Sequence, residues 1–130
     1  MLAVKLTVAK VISAAPPSSG GIVMGQALNI LEQFNLEEFD SITRKHLVIE
    51  AMRRAYRDRA AYLGDPDFID IPVKRLLDKN YAEGLALTIN LKRATPSTEL
   101  SNIATIQQKG TDTTHFSVVD AEGNRVSATL

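Results

Sequence analysis

The sequence contains no cysteine and only two histidines among its 130 residues. The absence of cysteine excludes disulfide bonds, zinc sites with thiolate ligands and cysteine nucleophiles, and it leaves the redox compartment open. The two histidines, His46 and His115, lie far apart in the chain and give little support to a metal site. We therefore expect no metal and no cofactor, so the available chemistry narrows to hydroxyl, carboxylate and imidazole groups.

The chain also has no net charge, because 15 basic residues balance 15 acidic ones. Such a balance gives no long-range field toward nucleic acid or an anionic membrane. The four arginines between positions 53 and 59 form a local basic cluster, but Glu50 precedes Arg54 by one helical turn and Asp58 follows it by another. Ion pairing at this spacing on a solvated or interface surface explains the cluster, and we expect no nucleic-acid partner.

No stretch of the sequence is long and apolar enough to span a bilayer. The first twelve residues could pass for a weak signal peptide, but Lys5 and Lys10 interrupt the apolar stretch. We see no signal peptide in the chain and predict a strand over residues 5–11, where the alternation is only partly of period two. The hydrophobic content of 45% is ordinary for a single core or for part of a larger one.

After the N-terminal strand, apolar residues recur at helical spacing in two segments of the chain. We predict a helix over residues 22–34, capped by Ser18 or Ser19, with Asn29 on the side away from its apolar stripe. A longer helix is predicted over residues 41–63, capped by Asp40 or Ser41. Its buried stripe is expected to contain five residues, Ile42, Ile49, Met52, Tyr56 and Leu63.

Shorter elements complete the pattern. A turn is predicted at residues 65–67, a small helix at 72–77 and another helix at 81–89, before a connector with little periodicity over 92–112. From His115 the pattern predicts a strand, a turn at residues 121–124 and a second strand to the last residue. The second strand of this hairpin would have an unpaired edge, so we expect an incomplete domain that needs further strands.

Four blocks of the sequence, in the same order, are similar to signature blocks of the gamma-glutamyltranspeptidase family. They are PPSSGG (16–21), LNILE (28–32), YRDRAAYLGDPDF (56–68) and TTHFSVVD (113–120). The resemblance covers the chain from about Val11 to Leu130. It implies an α+β fold, a fragment of a four-layer αββα sandwich in which several helices precede a C-terminal β-hairpin.

The resemblance also implies an N-terminal nucleophile hydrolase, whose precursor cleaves itself into a large and a small subunit. The cleaved bond would join Asp112 to Thr113, so residues 1–112 would end the large subunit and residues 113–130 would begin the small one. Thr113 would then be the nucleophile toward a gamma-glutamyl amide such as that of glutathione. An acyl-threonine intermediate would pass the group to water or to an amino acid or peptide amine.

Elementary chemistry agrees with that role for Thr113. A threonine hydroxyl is a weak nucleophile that needs an adjacent base, and a free α-amino group on the same residue is within reach. The ordinary pKa of an α-amino group, about 7.7 to 8.0, suits a general base near neutral pH. His115, two residues later, is expected to have a structural role.

The family's arginine for the substrate carboxylate, and its downstream threonine, serine pair and glycine pair, match no residues of this chain. We therefore expect the chain to be inactive without the remainder of both subunits. The resemblance implies a periplasmic or extracellular location. Without the resemblance, Thr113 and Thr114 would be ordinary strand-edge residues, and the alternative function is a non-catalytic helical scaffold or interaction fragment.

Overall fold

The computed structural model describes residues 1–7, 10–100 and 115–129. In these residues two strands come first, five α-helices and one short 3₁₀ helix (Leu36–Glu38) follow, and two further strands form a hairpin near the C-terminus. The elements are β1 (Leu2–Lys5), β2 (Lys10–Ser13), α1 (Gly20–Leu31), α2 (Ser41–Tyr62), α3 (Val73–Leu76), α4 (Lys79–Leu87), α5 (Ser97–Leu100), β3 (His115–Val119) and β4 (Arg125–Thr129). The predicted α+β class, with helices before a β-hairpin, is confirmed.

The N-terminal region forms a hairpin and not the single strand predicted over residues 5–11, so that prediction is wrong. β1 and β2 pair antiparallel, with Leu2 opposite Ser13 and Lys5 opposite Lys10. The two lysines that interrupt the apolar pattern are exposed at the loop end of this hairpin. They interrupt the alternation because one strand ends and the next begins there.

Helix α1 is the central element, because the first hairpin, α2, α3 and α4 all contact it. The core consists largely of small side chains, which let helices approach closely. Its buried members are Ala27, Ile30, Ala51, Ala55, Ala82, Leu85 and Ala86. A helix with neighbours on several sides also buries polar residues. The prediction that Asn29 lies away from the buried face is therefore wrong, since its Nδ2 donates to the carbonyl of Leu77 at 3.0 Å.

Helix α2 has the predicted bounds within one residue but buries a different face. Ile42 and Ile49 of the predicted stripe are 77% and 57% exposed, and Met52 and Tyr56 are exposed too. The buried residues of α2 are instead Leu47, Glu50, Ala51, Arg54, Ala55 and Asp58. The prediction of the stripe is wrong because charged side chains are buried when other buried groups pair with them, and periodicity does not reveal such pairs.

The two predicted helix caps have opposite outcomes. The carboxylate of Asp40 accepts the amides of Ile42 at 2.7 Å and Thr43 at 3.0 Å, so the predicted cap of α2 is confirmed. Ser19 stands at the cap position of α1 without a capping hydrogen bond, and that prediction is wrong. Its Oγ instead accepts a hydrogen bond from Nε of Arg59 at 3.0 Å. The Ser19 hydroxyl, which the local pattern predicted to cap the helix, therefore forms a hydrogen bond with a residue of α2 instead.

The segments after α2 largely follow the predictions. The turn at residues 65–67 is confirmed, because the Asp65 carboxylate accepts the amide of Asp67 at 3.0 Å. The small helix is α3, and α4 begins two residues earlier than predicted because Asp78 caps it. The connector is not irregular throughout, since α5 forms within it. Its residues 101–112 lie outside the described residues.

The C-terminal hairpin pairs β3 with β4, with Val118 opposite Val126. The predicted turn is confirmed: the Asp120 carboxylate accepts the amide of Asn124 at 2.8 Å. Gly123 supplies the positive φ of 86° that this turn requires. Hydrogen bonds from Asn124 lower the pKa of Asp120. Val118 and Val126 are both exposed, so the hairpin presents apolar side chains at its surface.

Two glycines in helices give a matched test of the packing between α1 and the first hairpin. A Cβ at Gly25 would lie 2.7 Å from Cγ2 of Val4, whereas a Cβ at Gly84 meets nothing within 4 Å. We expect Gly25→Ala to lower the free energy of unfolding by about 1–3 kcal/mol through overpacking. Gly84→Ala should raise it by about 0.5–1 kcal/mol. Urea unfolding followed by circular dichroism checks both, and an equal effect of the two changes would contradict the packing described.

Candidate functional site

The predicted cleavage site, Asp112 and Thr113, lies outside the described residues. The structure describes the chain on both sides of it, as far as Leu100 upstream and from His115 downstream. The site is therefore characterised by the elements that flank it. These are strand β3 after the site, and α5 with the start of the connector before it.

On the downstream side, β3 begins two residues after Thr113. Its register runs from His115 opposite Thr129 to Val119 opposite Arg125 without interruption. The hydroxyls of Ser117 and Ser127 lie 3.2 Å apart across this ladder. The described part of the chain downstream of the predicted site is therefore a regular antiparallel ladder from its first residue, His115.

On the upstream side, a buried ion pair lies on α2. Nη1 of Arg54 donates to Oε2 of Glu50 at 2.7 Å, and the two residues are 0% and 1% exposed. The pairing predicted from their four-residue spacing is confirmed. Its location is not as predicted, since the pair is buried and not on a solvated face. A buried pair of this kind is stable only if further hydrogen bonds satisfy both groups.

Arg54 binds the end of α4. Its Nε donates to the hydroxyl of Thr88 at 2.8 Å, and its Nη2 donates to the carbonyl of the same residue at 2.9 Å. Nη2 also lies 3.3 Å from the hydroxyl of Thr95 in the connector. One guanidinium group therefore joins α2 to the end of α4 and to the segment beyond it.

Glu50 binds the connector directly. Its Oε2 accepts the hydroxyl of Thr95 at 2.6 Å, and its Oε1 accepts the amide of that residue at 3.3 Å. Oε1 also accepts Nη1 of Arg53 at 2.6 Å, and Nη2 of Arg53 donates to the hydroxyl of Ser97 at 3.2 Å. The first turn of α5 is thereby attached to α2.

The pKa of Glu50 reflects these contacts. Burial by itself would raise the pKa of this carboxyl, but hydrogen bonds from Thr95, Arg54 and Arg53 outweigh burial and lower the pKa from 4.5 to about 2. The carboxylate is therefore ionised at neutral pH and keeps its attachment to the connector.

A second buried carboxylate, Asp58, joins α1, α2 and α4. Oδ2 accepts Nε2 of Gln26 at 2.5 Å and the hydroxyl of Tyr81 at 2.7 Å. Oδ1 accepts Nη2 of Arg57 at 2.6 Å. The predicted pairing of Asp58 with Arg54 is wrong, because Arg54 points to the connector side. Burial, together with the hydrogen bond to Asp58, raises the pKa of Tyr81.

Sequence reasoning missed the polar partners of these two carboxylates and of the arginines beside Glu50. They are Gln26, Tyr81, Thr88, Thr95 and Ser97, which lie 23 to 45 residues from the carboxylates or arginines that they contact. No local pattern marks such distant pairs. The run TPST at residues 95–98, which predicted only a connector, contains two of them.

The exposed sides of α1 and α2 enclose an open apolar groove of about 360 Å³. Met24 of α1 and Met52 and Tyr56 of α2 line it, together with the polar residues Arg59 and Ser19. The lining is mostly aliphatic and aromatic, so the groove suits apolar side chains better than a polar substrate.

Within residues 1–7, 10–100 and 115–129, no three His, Asp or Glu side chains are placed to hold a metal ion. None of the helices in the same part of the chain has the length and apolarity required to cross a membrane.

Comparison with known proteins adds an independent finding. The family model described as Gamma-glutamyltranspeptidase matches residues 1–130. This chain is 47% identical over 121 residues to the glutathione hydrolase proenzyme of Pseudomonas sp. strain A14. It is 43% identical over 122 residues to the glutathione hydrolase proenzyme of Escherichia coli strain K12. Each match covers 92% of this chain and 21% of the relative, so the chain spans about a fifth of the length of these curated relatives.

A solved structure gives the same result for the fold. The crystal structure of Helicobacter pylori gamma-glutamyltranspeptidase aligns with a TM-score of 0.71 at 34% identity. The alignment covers 85% of this chain and 32% of that one.

The lowered pKa of Glu50 leads to a prediction for Glu50→Gln. Near pH 7 the change leaves Arg54 buried without its carboxylate, and we expect the free energy of unfolding to fall by about 3–5 kcal/mol. A carboxyl whose pKa is lowered on folding stabilises the protein above its unfolded pKa, and this contribution is lost as the pH falls. The difference between parent and variant should therefore shrink between pH 4.5 and about 2.

Urea unfolding at a series of pH values measures this difference. The control is Glu83→Gln, at an exposed position on α4. A difference that is independent of pH in this window, or no larger than that of the control, would contradict the assignment of Glu50.

Proposed function

This chain belongs to the gamma-glutamyltranspeptidase family, and from that premise we propose that it is part of a self-cleaving precursor that transfers gamma-glutamyl groups. The observation that carries the proposal is the family match across all 130 residues, which includes the segment around Thr113. The names of the relatives, glutathione hydrolase proenzymes, indicate the substrate class and a precursor form. The position of Thr113 just before strand β3 supports its role as the first residue of a subunit.

Cleavage of the precursor begins with the hydroxyl of Thr113. Its Oγ attacks the carbonyl carbon of Asp112, and the amide nitrogen of Thr113 leaves as a free amine that takes up the hydroxyl proton. The product is an ester between the two residues. Water then hydrolyses this ester, which leaves a carboxylate on Asp112 and restores the hydroxyl of Thr113. One water molecule is consumed, and no other reactant is needed.

The same hydroxyl then acts on substrate, with the new α-amino group as general base. Oγ of Thr113 attacks the gamma-glutamyl carbonyl of a glutathione-like amide, and the proton passes through the amine to the leaving nitrogen. The acyl-threonine ester is resolved by water, or by the amine of an amino acid or peptide. Donors to the oxyanion and to the substrate α-carboxylate come from the remainder of the two subunits.

Residues 1–112 are the end of the large subunit in this proposal, and residues 113–130 are the start of the small one. The partners of the chain are then the remaining segments of both subunits, and these cover the exposed apolar side chains of α2. A periplasmic or extracellular location follows from the family resemblance.

Replacement of the nucleophile tests the proposal. In the full-length precursor that carries this chain, Thr113→Ala should leave the bond after Asp112 intact and lower turnover of a gamma-glutamyl anilide by at least about a thousandfold. Intact-mass spectrometry and anilide release measure the two effects. Thr111→Ala is the matched control and should still be cleaved. Cleavage at the same bond in the Thr113 variant would refute the proposal and favour a non-catalytic scaffold.

If the remaining segments of the subunits cover the exposed apolar side chains of α2, a separate prediction follows. Ile49→Gln should lower the free energy of unfolding of the full-length precursor by about 1.5–3 kcal/mol, because an apolar side chain is taken out of an interface. In the 130-residue chain, where Ile49 is exposed, the same change should alter stability by less than about 0.5 kcal/mol. Lys45→Gln, also exposed on α2, is the control and should have little effect in either protein. Equal effects of Ile49→Gln in both proteins would contradict the covered face.

A further inference from the structure

We propose that a helix of the same precursor, from outside these 130 residues, lies in the open groove between α1 and α2 and inserts a row of apolar side chains into it. The inference rests on the proposed function, in which this chain is one part of a longer precursor. It adds the place where another part of that precursor binds, together with the secondary structure and the side-chain chemistry of that part.

The groove follows both helices over the same length. Its lining extends on α1 from Gly20 to Leu31 and on α2 from Val48 to Arg59, which is eleven residues along each helix. Eleven residues of helix rise by about 17 Å, or three turns. The lining positions on α2 are 48, 52, 56 and 59, so they form one row of side chains along the helix. The groove is therefore an elongated channel along two helices and not a pocket for a compact ligand.

The groove is also the open side of a helix that is otherwise enclosed. The first hairpin, α2, α3 and α4 contact α1, and the only exposed residues of that helix, all of which the structure describes, are Gly20 and Met24. Both line the groove. On α2, Met52 and Tyr56 are 45% and 54% exposed beside it. A contiguous apolar surface of this kind marks a binding site for another polypeptide segment, and flexible methionine side chains adapt to the shape of that segment.

The segment in the groove must satisfy its own backbone hydrogen bonds. Only three of the eleven lining side chains carry oxygen or nitrogen, those of Ser19, Tyr56 and Arg59, and the Ser19 hydroxyl already accepts Arg59. A single extended segment would leave its amides and carbonyls without partners, which is costly away from water. A helix pairs these groups internally, and its ridge of side chains at i and i+4 fits a groove between side chains of other helices.

The composition of the groove indicates a permanent neighbour. Arg59 is the only charged residue among the eleven that line it, and mostly apolar interfaces are typical of obligate contacts, which resemble a protein core. The chain spans 21% of the length of the relatives that it matches. A precursor of that length therefore has about four-fifths of its residues outside this chain, and we place the helix among them.

Photo-crosslinking in the full-length precursor that carries this chain tests the inference. A diazirine amino acid is placed at position 24 in one sample and at position 52 in another. The control carries it at position 83, where Glu83 is exposed on α4 and does not line the groove. After illumination and digestion, mass spectrometry identifies the crosslinked residues. An equal mixture of ¹⁴N- and ¹⁵N-labelled precursor distinguishes crosslinks within one chain from crosslinks between two copies.

We expect the probes at positions 24 and 52 to react with one segment outside residues 1–130 of this chain. The crosslinked residues of that segment should be apolar and three, four or seven positions apart, because these residues share one face of a helix. The probe at position 83 should not reach that segment. If a probe at position 24 or 52 prevents folding, a benzophenone side chain at position 56, where Tyr56 is half exposed, takes its place.

Three results would overturn the inference. Crosslinks confined to residues 1–130 would show that no other segment occupies the groove. Crosslinks between ¹⁴N- and ¹⁵N-labelled chains would identify the occupant as a second copy, and crosslinked residues two positions apart would identify it as a strand. The crosslink pattern does not depend on catalysis. Thr113→Ala tests the proposed reaction separately, and cleavage of that variant would refute the reaction while the helix in the groove could still be present.

Discussion

The buried pair of Glu50 and Arg54 is the interaction on which the helical part of this chain depends. Burial of two charges is costly, and their attraction compensates only when each remaining polar atom also has a partner. Here those partners come from outside α2: Thr88 at the end of α4, and Thr95 in the connector. Because the pair needs these partners, α2 and the connector are held together by the same requirement that keeps the charges buried.

The other face of α2 follows from this arrangement. Charged residues occupy the inward side and small alanines fill the gaps between helices, so the large apolar residues Ile42, Ile49 and Met52 face outward. An isolated helix with this pattern would leave a hydrophobic patch in water. Within a precursor of the relatives' length, we infer, the rest of the polypeptide covers it. The exposed valines of the C-terminal hairpin fit the same explanation.

Local chemistry explains what could be predicted from the sequence. The Asp40 cap and the Asp120 turn are correct because their partners lie within four residues. The predictions for Asn29, for the Ser19 cap and for the buried face of α2 were wrong, because the contacts of these residues are made with residues distant in the sequence. The role proposed for Thr113 rests on its family block, since a threonine pair before a strand carries no catalytic signal by itself. Thr95 had no signal at all: its importance depends on Glu50, which is distant in the sequence.

Amide hydrogen exchange at Thr95 tests the central claim most directly. This amide lies in irregular chain, and its donation to Glu50 is what should protect it. The account predicts exchange at least about a hundredfold slower than in an unstructured peptide of the same sequence. The protection should be lost in Glu50→Gln. Exchange at the rate of the peptide would show that the connector is not attached to the buried pair, and would contradict the account.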